Sequence, residues 1–317
     1  MFCDQRQITA RSKAPTPSQV QETIDTWLST LQETETVEIA FYGGSFTAIP
    51  KQSQIMYLGI AKEYVDKGLV SNIHISTRPD AIDEDILDML ASYKVATIEL
   101  GVQSFDDNVL ALSKRGHNSA QVIDACKAIK RRGLNLGIQL MVGLPGDSLE
   151  SCIYSAKSTV ELKPDLARIY PTLVLGNTEL MDMYKQGLYE PLSREEALLR
   201  TKAIYRILDS AGIYIMRVGL KSTDIINSHN LGSINSGAYH PAFRQLVEGE
   251  IAKERIEELI KDSHSDNITI LVPAGELSNV IGHERVNAEY FNKEYPGLTI
   301  RFKESPEMPS GEYTIEQ

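Results

Sequence analysis

The chain has 317 residues, 42% hydrophobic and 24% charged, an ordinary globular composition that allows two average domains or one α/β barrel with an appendage. A net charge of −11 repels polyanions and disfavours non-specific binding to nucleic acid or an anionic membrane surface; Lys130 to Gly133 (KRRG) is the one short basic run. No segment has the apolar length of a membrane span or the pattern of a secretory signal, so the expected location is cytoplasmic with no membrane partner.

In chain order, apolar β-branched runs alternate with amphipathic patterns, the signature of parallel strand-helix units. Strands are predicted at VEIAFY (37–42), NIHIST (72–77), VATIELGV (95–102), LNLGIQLMV (134–142), LARIYP (166–171) and IYIMRVG (213–219). Helices are predicted near 17–33, 51–66, 83–93, 119–132, 148–162 and 193–211, with Ser18, Asp83, Ser148 and Ser193 at or near their starts and Gly68, Gly133 and Gly212 at ends. After residue 220 the rhythm weakens: a loop-rich stretch and a helix (243–261) are followed by ITILVPA (268–274), a helix at 284–294 and LTIRFKE (298–304). The expected division is a barrel at 1–220, a closing segment at 221–262 and a small βαβ unit at 263–317. Cys126 and Cys152 fall in helical sequence and read as small buried thiols, and with only three cysteines in all there is no disulfide framework.

Nearly every predicted barrel strand ends in a polar or glycine-rich cluster: GGSFT, STRPD, GVQS, GLPGD and YPT. In parallel α/β barrels the loops after the strand C-termini converge on one mouth, so these clusters are the candidate site. Together they resemble the radical S-adenosylmethionine superfamily, whose core is a partial (βα)6 barrel and whose cluster loop carries Cys-x3-Cys-x2-Cys. Met1-Phe2-Cys3-Asp4-Gln5 is similar to the tail of that motif. The resemblance then implies that the sequence begins inside the cluster loop, with the first strand and two cysteines upstream of Met1. The chain by itself is therefore expected to be inactive. Cys3 becomes the one candidate metal ligand, for a 4Fe-4S cluster.

Other positions follow from the same resemblance. Gly43, Gly44 and Ser45 would meet the amino group of S-adenosylmethionine, Ser76 and Arg78 would make polar contacts to it, Gln103 would meet its ribose and Arg115 its carboxylate. The pair GVQS (101–104) and KRGH (114–117) is the most specific match, resembling oxygen-independent coproporphyrinogen oxidases and the Elongator catalytic subunit. Gln139 to Gly146 matches the fifth-strand motif, with Gln139 where coproporphyrinogen oxidase relatives carry an acid, Gly143 in the cofactor set and Val142 to Leu144 near the adenine. Arg168 and Tyr170 are two apart on a strand and share a face, the inner one if both look into the barrel. Tyr170, His240 and Arg244 are the candidate catalytic residues, although His240 serves equally as a cap for a helix starting after Pro241.

The fold class implied is α/β, a partial TIM-like barrel with a small α+β unit. The activity implied is reductive cleavage of S-adenosylmethionine to a 5′-deoxyadenosyl radical, with flavodoxin or ferredoxin as electron donor and a small molecule or tRNA as substrate. Two other readings stand beside it: a cluster-free relative that binds S-adenosylmethionine without chemistry, and an RNA-binding protein. The second draws on Gly282-His-Glu-Arg285, which is faintly like a KH loop but has Arg285 at the second glycine; a plain βαβ packing domain is the alternative.

Overall fold

A computed structural model describes residues 1–2, 14–31, 36–220, 238–261 and 266–316, and divides the chain into two compact units, Met1–Tyr239 and His240–Gln317. Cys3 therefore lies outside the described residues.

The first unit is a six-stranded, wholly parallel sheet in sequential order: β1 (Glu38–Phe41), β2 (Asn72–Thr77), β3 (Val95–Gln103), β4 (Asn135–Val142), β5 (Leu166–Pro171) and β6 (Tyr214–Val218). Sequential order with a helix between successive strands is the half-barrel expected from the alternating pattern. The helices are α1 (Pro17–Leu28), α2 (Lys51–Asp66), α3 (Glu84–Ser92), α4 (Asp107–Leu112), α5 (Ser119–Arg131), α6 (Leu149–Leu162), α7 (Glu179–Lys185) and α8 (Arg194–Ser210). Their starts carry the side-chain oxygens that orphaned N–H groups require: Asp83 accepts from Ile86, Ser148 from Ser151 and Ser193 from Glu196. At α1 the cap is Thr16, with Pro17 in the first turn and Ser18 just inside it.

The sheet's outer face is filled by Ile73, Ile75, Ile98, Leu100, Leu136, Ile138 and Ile169, all fully buried beneath helices. That packing is the main apolar core, and it turns the alternate residues of each strand inward. Burying one such aliphatic side chain contributes about 1.5–3 kcal/mol.

The KRRG run is not a basic patch. Arg131 and Arg132 pair with Glu84, Arg132 also with Asp88, and Lys130 Nζ donates to the Lys163 carbonyl. Because α5 leads into the start of β4, this network lies at the rim opposite the strand C-termini.

The second unit holds α9 (Phe243–Lys261), β7 (Asn267–Pro273), α10 (Leu277–Ile281), α11 (Val286–Glu294), β8 (Thr299–Ser305) and β9 (Thr314–Ile315). β7 pairs parallel with β8 and antiparallel with β9. Ala252, Ile256 and Ile260 of α9 share a core with Ile268, Ile270, Val272, Val280 and Phe291, so this helix, assigned by sequence to a closing segment, is an integral part of the C-terminal unit. In the KH-like loop, Arg285 adopts φ +69°, the left-handed backbone a glycine would take, and Gly282 adopts φ +80°. Among the described residues no helix is long and apolar enough to cross a membrane.

Candidate active site

At the C-terminal ends of the strands the first unit encloses a hollow of about 350 Å3. Gly43, Gly44, Ser45, Ser76, Arg78, Gln103, Arg115, Gln139 and Tyr170 all line it, together with Phe2, Tyr42, Glu99, Gly101, Met141 and Arg168.

The glycine turn leaves β1 with Gly43 at φ +106° and Gly44 at φ +156°, so Gly43 in particular holds a backbone that side chains resist. Its downstream end is pinned to β2. Thr47 Oγ1 and Thr77 Oγ1 are 2.6 Å apart, and Thr47 Oγ1 also donates to the Ala81 carbonyl at 2.5 Å. Arg78 stands at the rim already paired with Asp80, its Nε donating to Oδ1 at 2.9 Å.

On β3 the residues Glu99, Gly101 and Gln103 share the inner face, as the two-residue strand period requires. Gln103 has φ +74°, and its Oε1 accepts from Gln139 Nε2 at 3.1 Å. Arg115 reaches back to donate from Nη2 to the Gly101 carbonyl at 2.8 Å, its guanidinium 5.6 Å from the Phe2 ring centroid. A Cβ at residue 101 would stand 2.9 Å from Gln103 Nε2 and 3.4 Å from Arg115 Nη2; glycine there lets both side chains lie across the strand. His117 is buried, within 3.2 Å of the Val102 carbonyl through Nε2, and burial, followed by Arg115, holds its pKa below the usual value. It braces the loop that carries Arg115.

The floor of the hollow is a buried ionic cluster. Arg168 Nε lies 2.7 Å from Glu99 Oε2, Nη1 donates to Tyr170 Oη at 3.2 Å and Nη2 donates to Tyr42 Oη. The guanidinium also covers the Tyr42 ring at 4.3 Å. His74 is 1% exposed, with Nε2 3.8 Å from Glu99 Oε2 and both ring nitrogens 3.4 Å from Tyr42 Oη. Burial, with a smaller push from Arg168, lowers the His74 pKa to about 4, so the ring is neutral. Burial raises the pKa of Glu99 above the ordinary carboxyl value against the opposing pull of Arg168.

Sequence reasoning passed over His74 and Glu99. Counting back two residues from Ser76 and four from Gln103 along their strands reaches both, a signal hidden because each reads as a polar interruption in an apolar run.

Three residues predicted from the resemblance, Gly143, Val142 and Leu144, lie outside the hollow. Gly143, at φ +83°, donates its N–H to Asp147 at 2.7 Å and accepts from Tyr189 at 2.6 Å, and a Cβ there would meet Leu192 at 2.7 Å; it shapes a separate loop. Val142 and Leu144 are buried beside it and do not line the hollow. His240 and Arg244 belong to the second unit. There the Ala242 N–H donates to His240 Nδ1 at 3.1 Å, just before α9, the His283 ring stands edge-on at 4.8 Å, and Arg244 pairs with Glu248 at 2.7 Å. Cys3 is outside the described residues.

Among the described residues no three His, Cys, Asp or Glu side chains are grouped to hold a metal ion. Cys126 and Cys152 are buried, with burial pushing the Cys126 thiol up to about 12 and burial plus Asp147 raising that of Cys152, in keeping with small buried thiols.

Comparison with known proteins agrees with this geometry. Residues 1–157 match the Radical SAM superfamily and residues 164–253 the Radical_SAM C-terminal domain. The tRNA uridine(34) acetyltransferase of Methanocaldococcus infernus is 38% identical over 127 residues, 39% of this chain and 24% of that protein. Elongator complex protein 3 of Bos taurus is 27% identical over 231 residues, 67% of this chain and 41% of that protein. The chain therefore spans well under half the length of either relative. Among solved structures, archaeal Elp3 of Methanocaldococcus infernus with an N-terminal deletion superposes with a TM-score of 0.65 at 25% identity, covering 75% of this chain and 59% of that one. With the two matched segments running from residue 1 to 253 and a parallel half-barrel presenting the motif residues at one mouth, the chain belongs to the radical SAM superfamily.

Proposed function

We propose that the hollow binds S-adenosylmethionine and that the chain is a radical SAM enzyme acting by hydrogen abstraction. One observation carries the reading: eight residues assigned to the cofactor from sequence motifs, on four successive strand ends and one loop, line a single hollow. Its volume falls in the range of roughly 300–1,000 Å3 usual for small-molecule sites. When bound, the 4Fe-4S cluster and S-adenosylmethionine supply the electron and the carbon radical, respectively, of that chemistry.

The chain's own residues orient and shield. Gly43 and Gly44 open the turn so that a ligand amino group can approach the main chain. Arg115 supplies a cation for the ligand carboxylate. Because Gln103 Oε1 accepts from Gln139, its Nε2 is the end left to donate to a ribose oxygen. Tyr170, fixed by Arg168, is the substrate-facing hydroxyl on the wall. His240→Ala and Arg244→Ala, assayed for turnover, test whether these two residues contribute to the reaction. Cys3 is the proposed cluster ligand within this sequence.

The similarity to a tRNA uridine(34) acetyltransferase brings tRNA into the proposal as one substrate class; a small metabolite is the other, and it accords with the charge of −11. A flavodoxin or ferredoxin is the proposed electron donor. The test is titration calorimetry of the protein with S-adenosylmethionine, followed by assay for 5′-deoxyadenosine from reduced, iron-loaded protein extended upstream to carry the two further cysteines that the cluster motif implies. Binding that is lost in Arg115→Ala supports the reading. Absence of binding to the unsubstituted chain refutes it, and salt-sensitive competition by tRNA selects that substrate class.

A further inference from the structure

Two successive glycines cannot hold a turn in one shape by themselves, because each loses more backbone freedom on ordering than any other residue. The turn at 43–44 is therefore only as well placed as its two ends. The downstream end is held by the Thr47–Thr77 hydroxyl pair. The upstream end is Tyr42, which lines the hollow and is 45% exposed, so burial alone does not lock it. What holds its ring is Arg168, arriving from β5 with its guanidinium over the ring and Nη2 donating to the hydroxyl, and His74 edge-on at a centroid distance of 5.3 Å.

We propose that Arg168 is a positioning residue for the glycine turn, acting through Tyr42; the role rests on the S-adenosylmethionine reading of the hollow. Glu99 is the fixed point of the device. It is 1% exposed, it ion-pairs with Arg168, and Gly137 leaves room for it, since a Cβ at 137 would lie 3.1 Å from Glu99 Cβ and Cγ. Only a planar, multidentate cation can meet Glu99, Tyr170 and Tyr42 at once while stacking on a ring; a lysine ammonium presents one point charge.

The experiment measures S-adenosylmethionine affinity of the full chain by calorimetry, and backbone amide exchange at 43–46 in ligand-free protein. Removing Arg168 alone strands a buried carboxylate, so the variant used is Arg168→Met with Glu99→Gln, beside Tyr42→Ala, the combination of all three, and Arg168→Lys. We expect affinity to fall about tenfold in the first two, the size of coupling common between residues in contact. The combination should be no weaker than either, Arg168→Lys should not rescue, and exchange at 43–46 should accelerate. Unchanged affinity and exchange in the Arg168→Met, Glu99→Gln protein overturn the proposal, as do additive losses, which would mean Arg168 meets the ligand directly. If the unsubstituted chain binds no S-adenosylmethionine, the functional reading fails, and the positioning role is decided by exchange alone.

Discussion

Acidification should loosen this protein through one buried histidine. His74 faces Glu38, Glu99, Arg168 and Tyr42, and its pKa is lowered from 6.5 to about 4, chiefly by burial. Between those values the unfolded chain binds more protons at this residue than the folded one, so its contribution to stability is complete above 6.5 and is lost as pH falls toward 4. That difference in proton affinity between the folded and unfolded states corresponds to about 3 kcal/mol. Urea denaturation at pH values from 7.5 to 4 reads this when the protein is set beside His74→Gln, because carboxyls remote from residue 74 titrate alike in both and cancel in the difference. The gap between the two stability curves should close by about 3 kcal/mol over that range. Parallel curves would refute the argument, since they would mean that His74 takes up its proton at no cost to the fold.

Three further outcomes are expected. Gly101→Ala places a Cβ 2.9 Å from Gln103 Nε2, a movable side-chain end, so stability should change by only about 1 kcal/mol while S-adenosylmethionine affinity falls, as read by thermal melts and calorimetry. Thr77→Val keeps the shape of a buried residue but removes the hydroxyl partner of Thr47, and should cost about 1–2 kcal/mol in urea denaturation. Cys126 and Cys152, buried and held as thiols, should resist alkylation at pH 8 until the protein unfolds, as mass mapping of labelled peptides would show.

The half-barrel was legible because period-two apolar runs and period-3.6 helices alternate without interruption from 37 to 219, and each observed barrel strand lies within or overlaps its predicted run. The short helices α4, α7 and α10 were not legible: five to seven residues offer too little periodicity, and tertiary packing makes them. The rim of the hollow could be read because its motifs, GGS at 43–45, GVQS at 101–104 and KRGH at 114–117, resemble those of a known family. Its floor could not, since Glu99 and His74 acquire meaning only when Arg168, distant in sequence, arrives between them. Gly143 misled for a local reason: its motif position matches, but its carbonyl and N–H are spent on Tyr189 and Asp147.

The left-handed backbone of Gln103 places a ceiling on how far this protein can be improved by heat selection. A non-glycine residue at φ +74° costs on the order of 1 kcal/mol that glycine would release, yet glycine carries no amide to pair with Gln139. With that gain set against the lost hydrogen bond, sorting on melting temperature alone does not exclude glycine at 103, which empties the hollow of that donor. Ligand retention therefore has to be scored in the same round.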